Sequence, residues 1–251
     1  MTNILSTRNL HKSYGNSPAL AGVDLDLRAG ESVAIMGASG SGKTTLLHCL
    51  AGIITPDAGT VGFAGPSGPQ TISAMNESER SRLRRECFGF VFQQGLLLPE
   101  LTALENVALA LMLGGTSRTQ AEIYAAQWLS SLGLAGLEQR RIGELSGGQA
   151  QRVAIARAQV TGAGVIFADE PTGALDSKTS AEVMDALLDS TVGRGKTLVL
   201  VTHDAAVAGR CARLVELRDG RIVRDSAPLA AQLLPAQLLP AQPLDSVQLS
   251  R

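Results

Sequence analysis

Eight residues, Gly37-Ala38-Ser39-Gly40-Ser41-Gly42-Lys43-Thr44, fit the pattern GxxxxGK[ST] without a mismatch. They follow a short apolar stretch, Ser32–Met36, and open a helical one, which is the context such a loop needs. Glycines let successive backbone N–H groups turn inward toward phosphate oxygens, and a helix start adds partial positive charge. Lys43 supplies a point charge for the β- and γ-phosphates, and the Thr44 hydroxyl is a ligand for Mg2+. The bland alternative, a glycine-rich turn with a stray lysine, does not explain the strand before it or the helix after it.

A second chemical signal is the run Val165-Ile166-Phe167-Ala168-Asp169-Glu170, an apolar strand ending in two acids. Alone, such an ending reads as a solvated turn. Beside a phosphate loop, Asp169 can hold the metal's water shell and Glu170 can act as the base or orient the attacking water. His203 follows another apolar strand and can reach the γ-phosphate from there. Leu145-Ser146-Gly147-Gly148-Gln149 opens a helix with Ser146 as its N-cap and two glycines at the start. This second anion-ready helix start makes sense if it grips a nucleotide held by another copy of the chain, and a two-fold dimer would serve both nucleotides at once.

The elements that must position these residues can be read coarsely. Stretches 3–14 and 19–27 read as strands around the turn Gly15-Asn16-Ser17-Pro18, and the helix from Gly42 stops at Gly52. Helical spacing dominates 102–113, 118–132 and 147–160. Strands and helices then alternate: 165–168, helix 179–190, Thr197–Thr202, helix 204–210, 213–217 and 221–223. Alternation at both ends around a helical block implies an α/β core with a helical insertion. From Ser226 the chain holds two copies of Gln-Leu-Leu-Pro-Ala and prolines at 228, 235, 240 and 243, which reads as an appended tail.

Composition narrows the classes. A net charge of −1 argues against a nucleic-acid surface, so no nucleic-acid partner is expected. Cys49, Cys87 and Cys211 show no CxxC spacing, which favours buried reduced thiols over a disulfide or zinc site. No secretory signal opens the chain, and no apolar run is long enough to cross a bilayer, so the expectation is a soluble protein without direct membrane insertion.

GASGSGKT, LSGGQ, VIFADE, the GALD after it and VTHD (201–204) occur here in order. Together they resemble the ABC transporter ATPase family, from about residue 3 to 224. The resemblance implies an α/β fold: a P-loop NTPase core with a RecA-like, mostly parallel sheet, an N-terminal antiparallel β-subdomain and an inserted α-helical subdomain. It places one ATPase domain at 1–225, with core at about 1–93 and 163–225, the insertion at about 94–162, and the tail at 226–251. It also assigns roles. Tyr14 matches the aromatic that stacks on adenine, and Gln93 the glutamine that contacts Mg2+ and the water. Asp176 matches an acid at the dimer interface and His203 the switch histidine.

The expected ATP-binding set is therefore Tyr14, Gly37, Ala38, Ser39, Gly40, Ser41, Gly42, Lys43, Thr44 and Thr45, joined in trans by Ser146, Gly147, Gly148 and Gln149. Glu170, His203 and Gln93 form the expected catalytic set, and Thr44, Gln93 and Asp169 the Mg2+ set.

GFVFQQ (89–94), LTALENV (101–107) and ADEPTGALDS (168–177) are similar to the macrolide-exporter and lipoprotein-releasing branch, with its cell-division and antimicrobial-peptide relatives. Ala38 stands where proline is common, Ala150 where glutamine is, and Gly95-Leu96 where Phe-Asn is. No catalytic position is substituted. The resemblance implies ATP and Mg2+, a second copy of the chain as partner, and a separate integral membrane permease at the cytoplasmic face of a bacterial membrane. A non-transporting signalling complex is the alternative. Soluble relatives acting on DNA or ribosomes need long arms or fused ATPase units that this chain lacks.

Overall fold

The computed structural model describes residues 3–93 and 96–226, so the expected tail beyond Ser226 and the difference at Gly95 lie outside the described residues. In chain order the first half holds β1 (Asn3–Tyr14), β2 (Ser17–Arg28), β3 (Ser32–Met36), α1 (Lys43–Leu50), β4 (Ala58–Gly65), β5 (Gly68–Thr71), α2 (Glu77–Cys87) and β6 (Phe88–Phe92). The second half holds α3 (Ala103–Met112), α4 (Arg118–Ser131), α5 (Gly147–Gln159), β7 (Val165–Asp169), α6 (Ser177–Thr191), β8 (Thr197–Thr202), α7 (Ala205–Ala208), β9 (Arg213–Arg218) and β10 (Arg221–Asp225).

Two sheets divide the strands. One is antiparallel in the order β2-β1-β4-β5; the other runs β10-β9-β3-β8-β7-β6, parallel except for the β10 edge. The parallel strands are apolar almost throughout because both faces are covered. Their side chains alternate between two cores. Val33, Ile35, Phe167, Val199 and Val201 point to the antiparallel sheet and α1, whereas Ala34, Ile166, Ala168, Leu198 and Leu200 point to the helical side. Between β6 and β7 the described chain is helical, with α3, α4 and α5 packed on one another. This is the α/β arrangement expected, with an antiparallel sheet and a mostly parallel one.

Several boundaries differ from expectation for physical reasons. The expected turn at 15–18 shrinks to Gly15-Asn16, because Pro18 joins β2 opposite Ser13. That strand lies at a sheet edge, where a missing N–H costs no ladder bond. The helix expected at 204–210 is cut to Ala205–Ala208. Sequence reading passed over β4, β5 and α2. β4 is glycine-rich and lies between β5 and β1, and its β1 partners are 47 or more residues away in sequence. α2 buries Leu83 alone and has no apolar stripe to betray it. Cys49 and Cys211 are buried free thiols, pushed up to about 11 and about 12 by burial, whereas Cys87 is only half-buried. Trp128 on α4 lies beneath two cations that flank the start of β8, Arg194 at 4.4 Å and Lys196 at 5.7 Å from its ring centre. No helix among the described residues is long and apolar enough to cross a membrane.

Candidate functional site

Four neighbouring parallel strands end on the same side of the sheet, and each end delivers one part of the site. Met36 of β3 runs into the loop at 37–42, Thr202 of β8 into His203, Asp169 of β7 into Glu170, and Phe92 of β6 into Gln93. In register, Met36 faces Thr202, Asp169 faces Val201, and Phe92 faces Asp169. Ligands of open α/β sheets gather at this carboxyl edge.

The loop after β3 wraps the start of α1. Ala38, Ser39 and Gly40 are exposed at its rim, while Ser41 and Lys43 are buried. Gly42 closes it at φ 101°, and a Cβ there would lie 2.2 Å from the Ala19 oxygen of β2, so only glycine fits. Lys43 folds back over the loop, its Nζ donating to the Gly37 and Ala38 oxygens at 2.9 Å. The informative feature is a missing one. Six of the seven described α-helices carry a side-chain N-cap: Asn76, Thr102, Ser117, Ser146, Asp176 and Asp204. α1 has none. Its first N–H groups, beside a buried lysine, are left for an anion to satisfy.

Thr44 and Thr45 occupy the first turn of α1, and the Thr44 hydroxyl meets Asp169 Oδ1 at 3.3 Å. Burial pushes the Asp169 carboxyl above its usual range, with Thr44 and His48 opposing the shift. A hydroxyl and a carboxylate oxygen at this separation suit a hard cation that takes its remaining ligands from phosphate and water. No group of three or more His, Cys, Asp or Glu able to hold a metal occurs among the described residues. The Thr44–Asp169 pair fits Mg2+ that takes its other ligands from a nucleotide and water.

Glu170 lies at φ 47°, a conformation costly for a residue with a Cβ. Its surroundings fix it there. Its N–H donates to the Val201 oxygen, and its carboxylate accepts from Thr202 Oγ1 at 3.1 Å and from His203 N at 3.1 Å. His203 Nδ1 lies 2.8 Å from the same carboxylate, with the imidazole largely exposed. A positive φ at a residue whose carboxylate is paired on two sides makes Glu170 a candidate functional residue. Thr202, to which sequence reading gave no role, orients Glu170; its only sequence signal was its place in VTHD.

Gln93 is exposed, and its side chain rests against Gly173, where a Cβ would lie 2.9 Å from its Nε2. Gln151 Nε2 of α5 donates to the Phe92 oxygen at 2.9 Å and steadies the preceding peptide. Tyr14, 52% exposed, ends β1 at the hairpin tip; Lys12, paired with Asp57 at 2.7 Å, lies 5.9 Å from its ring centre. Asp176 caps α6 through the N–H groups of Lys178 and Thr179.

Ser146 caps α5 as its position promised. Its Oγ accepts from Gln149 N at 3.2 Å, and the Gln149 side chain accepts from Ser146 N at 2.8 Å. This reciprocal box occupies two of the groups expected to grip phosphate. Gly148 is buried against α6 and is not open at the surface. Among the described residues, no hydrogen bond joins the Ser146–Gln149 loop to Gly37–Thr44.

The ABC transporter family model matches residues 20–173. The chain belongs to the ABC transporter family. Among curated relatives, the pyoverdine export ATP-binding/permease protein PvdT of Pseudomonas fluorescens Pf-5 is 47% identical over 231 residues, covering 90% of this chain and 34% of that protein. The macrolide export ATP-binding/permease protein MacB of Nitrosomonas europaea is 46% identical over 228 residues, covering 89% and 34%. The chain thus spans about a third of the length of the curated relatives it matches. Among solved structures, a dimeric post-hydrolysis state of the ATP-binding cassette MJ0796 bound to ADP and Pi aligns with a TM-score of 0.79 at 39% identity, covering 89% of this chain and 98% of that one. A second dimeric structure of that bacterial ABC transporter cassette aligns at 0.80 with the same identity. The fold is that of an ABC cassette.

Proposed function

We propose that this chain is the ATP-binding and ATP-hydrolysing subunit of an export-type ABC transporter, working as a pair of copies that enclose two ATP and drive a separate membrane permease. The observation that carries this reading is the convergence of an uncapped helix start, the Thr44–Asp169 pair and the strained Glu170–His203 pair at one sheet edge. Residues 1–225 act as one ATPase domain, with about 94–162 as its helical insertion. The names of the curated relatives, which pair ATP-binding with permease for pyoverdine or macrolide export, favour an exporter, and the branch resemblance adds lipoprotein and peptide cargo to the macrolide class. The site of action is then the cytoplasmic face of the membrane.

In this mechanism the loop 37–45 holds the phosphates through backbone N–H groups and Lys43, and Tyr14 offers a face for the base. Thr44, Asp169 and Gln93 are the residues that would hold Mg2+, and the ion, when bound, would neutralise charge on the phosphates. Glu170 orients and deprotonates water, and His203 steadies Glu170 and reaches the γ-phosphate. From the second copy, Ser146, Gly147 and Gln149 close over the γ-phosphate while the buried Gly148 seats their loop on α6, and Asp176 lies at the contact. Loss of the γ-phosphate removes that bridge and reopens the pair.

The test is Glu170→Gln, which keeps the shape and removes the base. Turnover is expected to fall about a thousandfold while ATP binding persists. Size-exclusion chromatography with ATP and Mg2+ should then show a stable dimer. A variant that binds ATP yet stays monomeric at high concentration sinks the sandwich.

A further inference from the structure

The loop that would close over a neighbour's ATP is not free to set its own position. Gly148 sits in the first turn of α5 with ordinary helical backbone, so its lack of a side chain is not a matter of φ. The reason lies opposite. A Cβ on Gly148 would come within 2.4 Å of Thr179 Cγ2 of α6, while Thr179 Cβ stays at 3.9 Å and Val183 at 4.0 Å. One methyl group fills the notch.

That methyl is aimed by its own hydroxyl. Thr179 Oγ1 donates to Asp176 Oδ2 at 2.6 Å, and Thr179 N donates to Asp176 Oδ1 at 3.0 Å. Asp176 in turn ends a short segment that begins at Glu170: Gly173 N donates to the Glu170 oxygen, and Leu175 N to the Thr172 oxygen. Leu175 packs on the neighbouring glycine, where a Cβ on Gly147 would lie 3.0 Å from its Cδ2. Glu170 to Thr179, ten residues in all, therefore run from the base of one site to the loop that serves the other, and among the described residues the side chains nearest the two loop glycines come from that segment and its helix.

We propose that Thr179 is a positioning residue: its Asp176-anchored methyl sets the Ser146–Gln149 loop, so that the segment behind Glu170 in one ATP site fixes the grip on the other ATP. The proposal rests on the sandwich reading above. A bond-for-bond conformational wire is not needed; rigid packing at one contact suffices.

The test moves one methyl group across the contact. Gly148→Ala alone forces a clash and should cut ATP turnover about tenfold. Thr179→Ser keeps the hydroxyl and cap but empties the notch, and should weaken ATP-dependent dimerisation about threefold while leaving ATP affinity of the monomer unchanged. In the double variant the alanine methyl meets the Cβ of residue 179 at 3.9 Å and Val183 at 4.0 Å, both ordinary contacts, so turnover should return to within about twofold of Thr179→Ser. Circular dichroism and melting temperature check that Gly148→Ala folds. Independently of activity, amide exchange at 146–149 should speed up about tenfold in Thr179→Ser and slow again in the double variant. A double variant as slow as Gly148→Ala, or exchange unchanged in Thr179→Ser, overturns the proposal. A wild-type chain without ATP turnover overturns the functional reading instead, and the exchange measurement still decides Thr179.

Discussion

Two helix starts in this chain look alike in sequence and opposite in structure. α1 follows the serine- and glycine-rich loop 37–42, α5 opens on Ser146-Gly147-Gly148, and both were expected to grip phosphate. α1 begins without a side-chain cap, beneath a buried lysine and beside a carboxylate that burial pushes toward its neutral form. α5 begins with a reciprocal Ser146–Gln149 box that satisfies its own ends. The first is a site left incomplete within the chain; the second is a finished surface with a shape set by α6. An anion is needed to complete α1, whereas α5 becomes a phosphate grip only when a second molecule presents one.

The largest effect should come from the incomplete start. Lys43→Ala removes the one charge folded over the loop, and ATP affinity of the isolated chain should fall about a hundredfold by calorimetry. If affinity barely changes, α1 is not the primary cradle. A smaller and different effect is expected at α5. Ser146→Ala strips the cap from Gln149 N and should cost about 1 kcal/mol of local helix stability, with ATP affinity of the isolated chain unaltered. Equal loss of ATP affinity in both variants would erase the distinction between the two starts.

The smallest effect on stability concerns Asp169. Its folded-state pKa is raised by burial, so the unfolded chain ionises it more readily. This carboxylate therefore lowers stability above the shifted pKa, and the penalty disappears as pH falls below the ordinary carboxylate value. Asp169→Asn should raise the melting temperature slightly at neutral pH while abolishing turnover, and the gain should shrink as the solution is acidified. A lower melting temperature in Asp169→Asn at neutral pH would mean that Thr44 and His48 outweigh burial.

Much of this was legible in the residues because the chemistry demands fixed types at fixed spacings. The phosphate loop, Asp169-Glu170 and the Ser146 cap could be read directly, since each is a local pattern with a local cause. What stayed hidden depends on contacts between distant segments. Nothing near Thr202 in sequence says that its hydroxyl will meet Glu170, which becomes visible only when β7 and β8 are side by side. The burial of Gly148 depends on a threonine 31 positions away. β4 and β5 were illegible for the same reason: they are weak strand formers, β4 recruited by β1 and β5 by β4. α2 was missed because charge pairs among Glu77, Arg80 and Arg84, and not an apolar stripe, hold it together.

Trp128 is the chain's single tryptophan, and it lies where the helical block meets the strand that leads to His203. With Arg194 and Lys196 stacked over its ring, the molecule carries its own optical gauge. Indole emission responds to nearby positive charge, so any rotation of α4 against the start of β8 alters both colour and intensity. Movement of the helical insertion during an ATP cycle can thus be followed without attaching a dye.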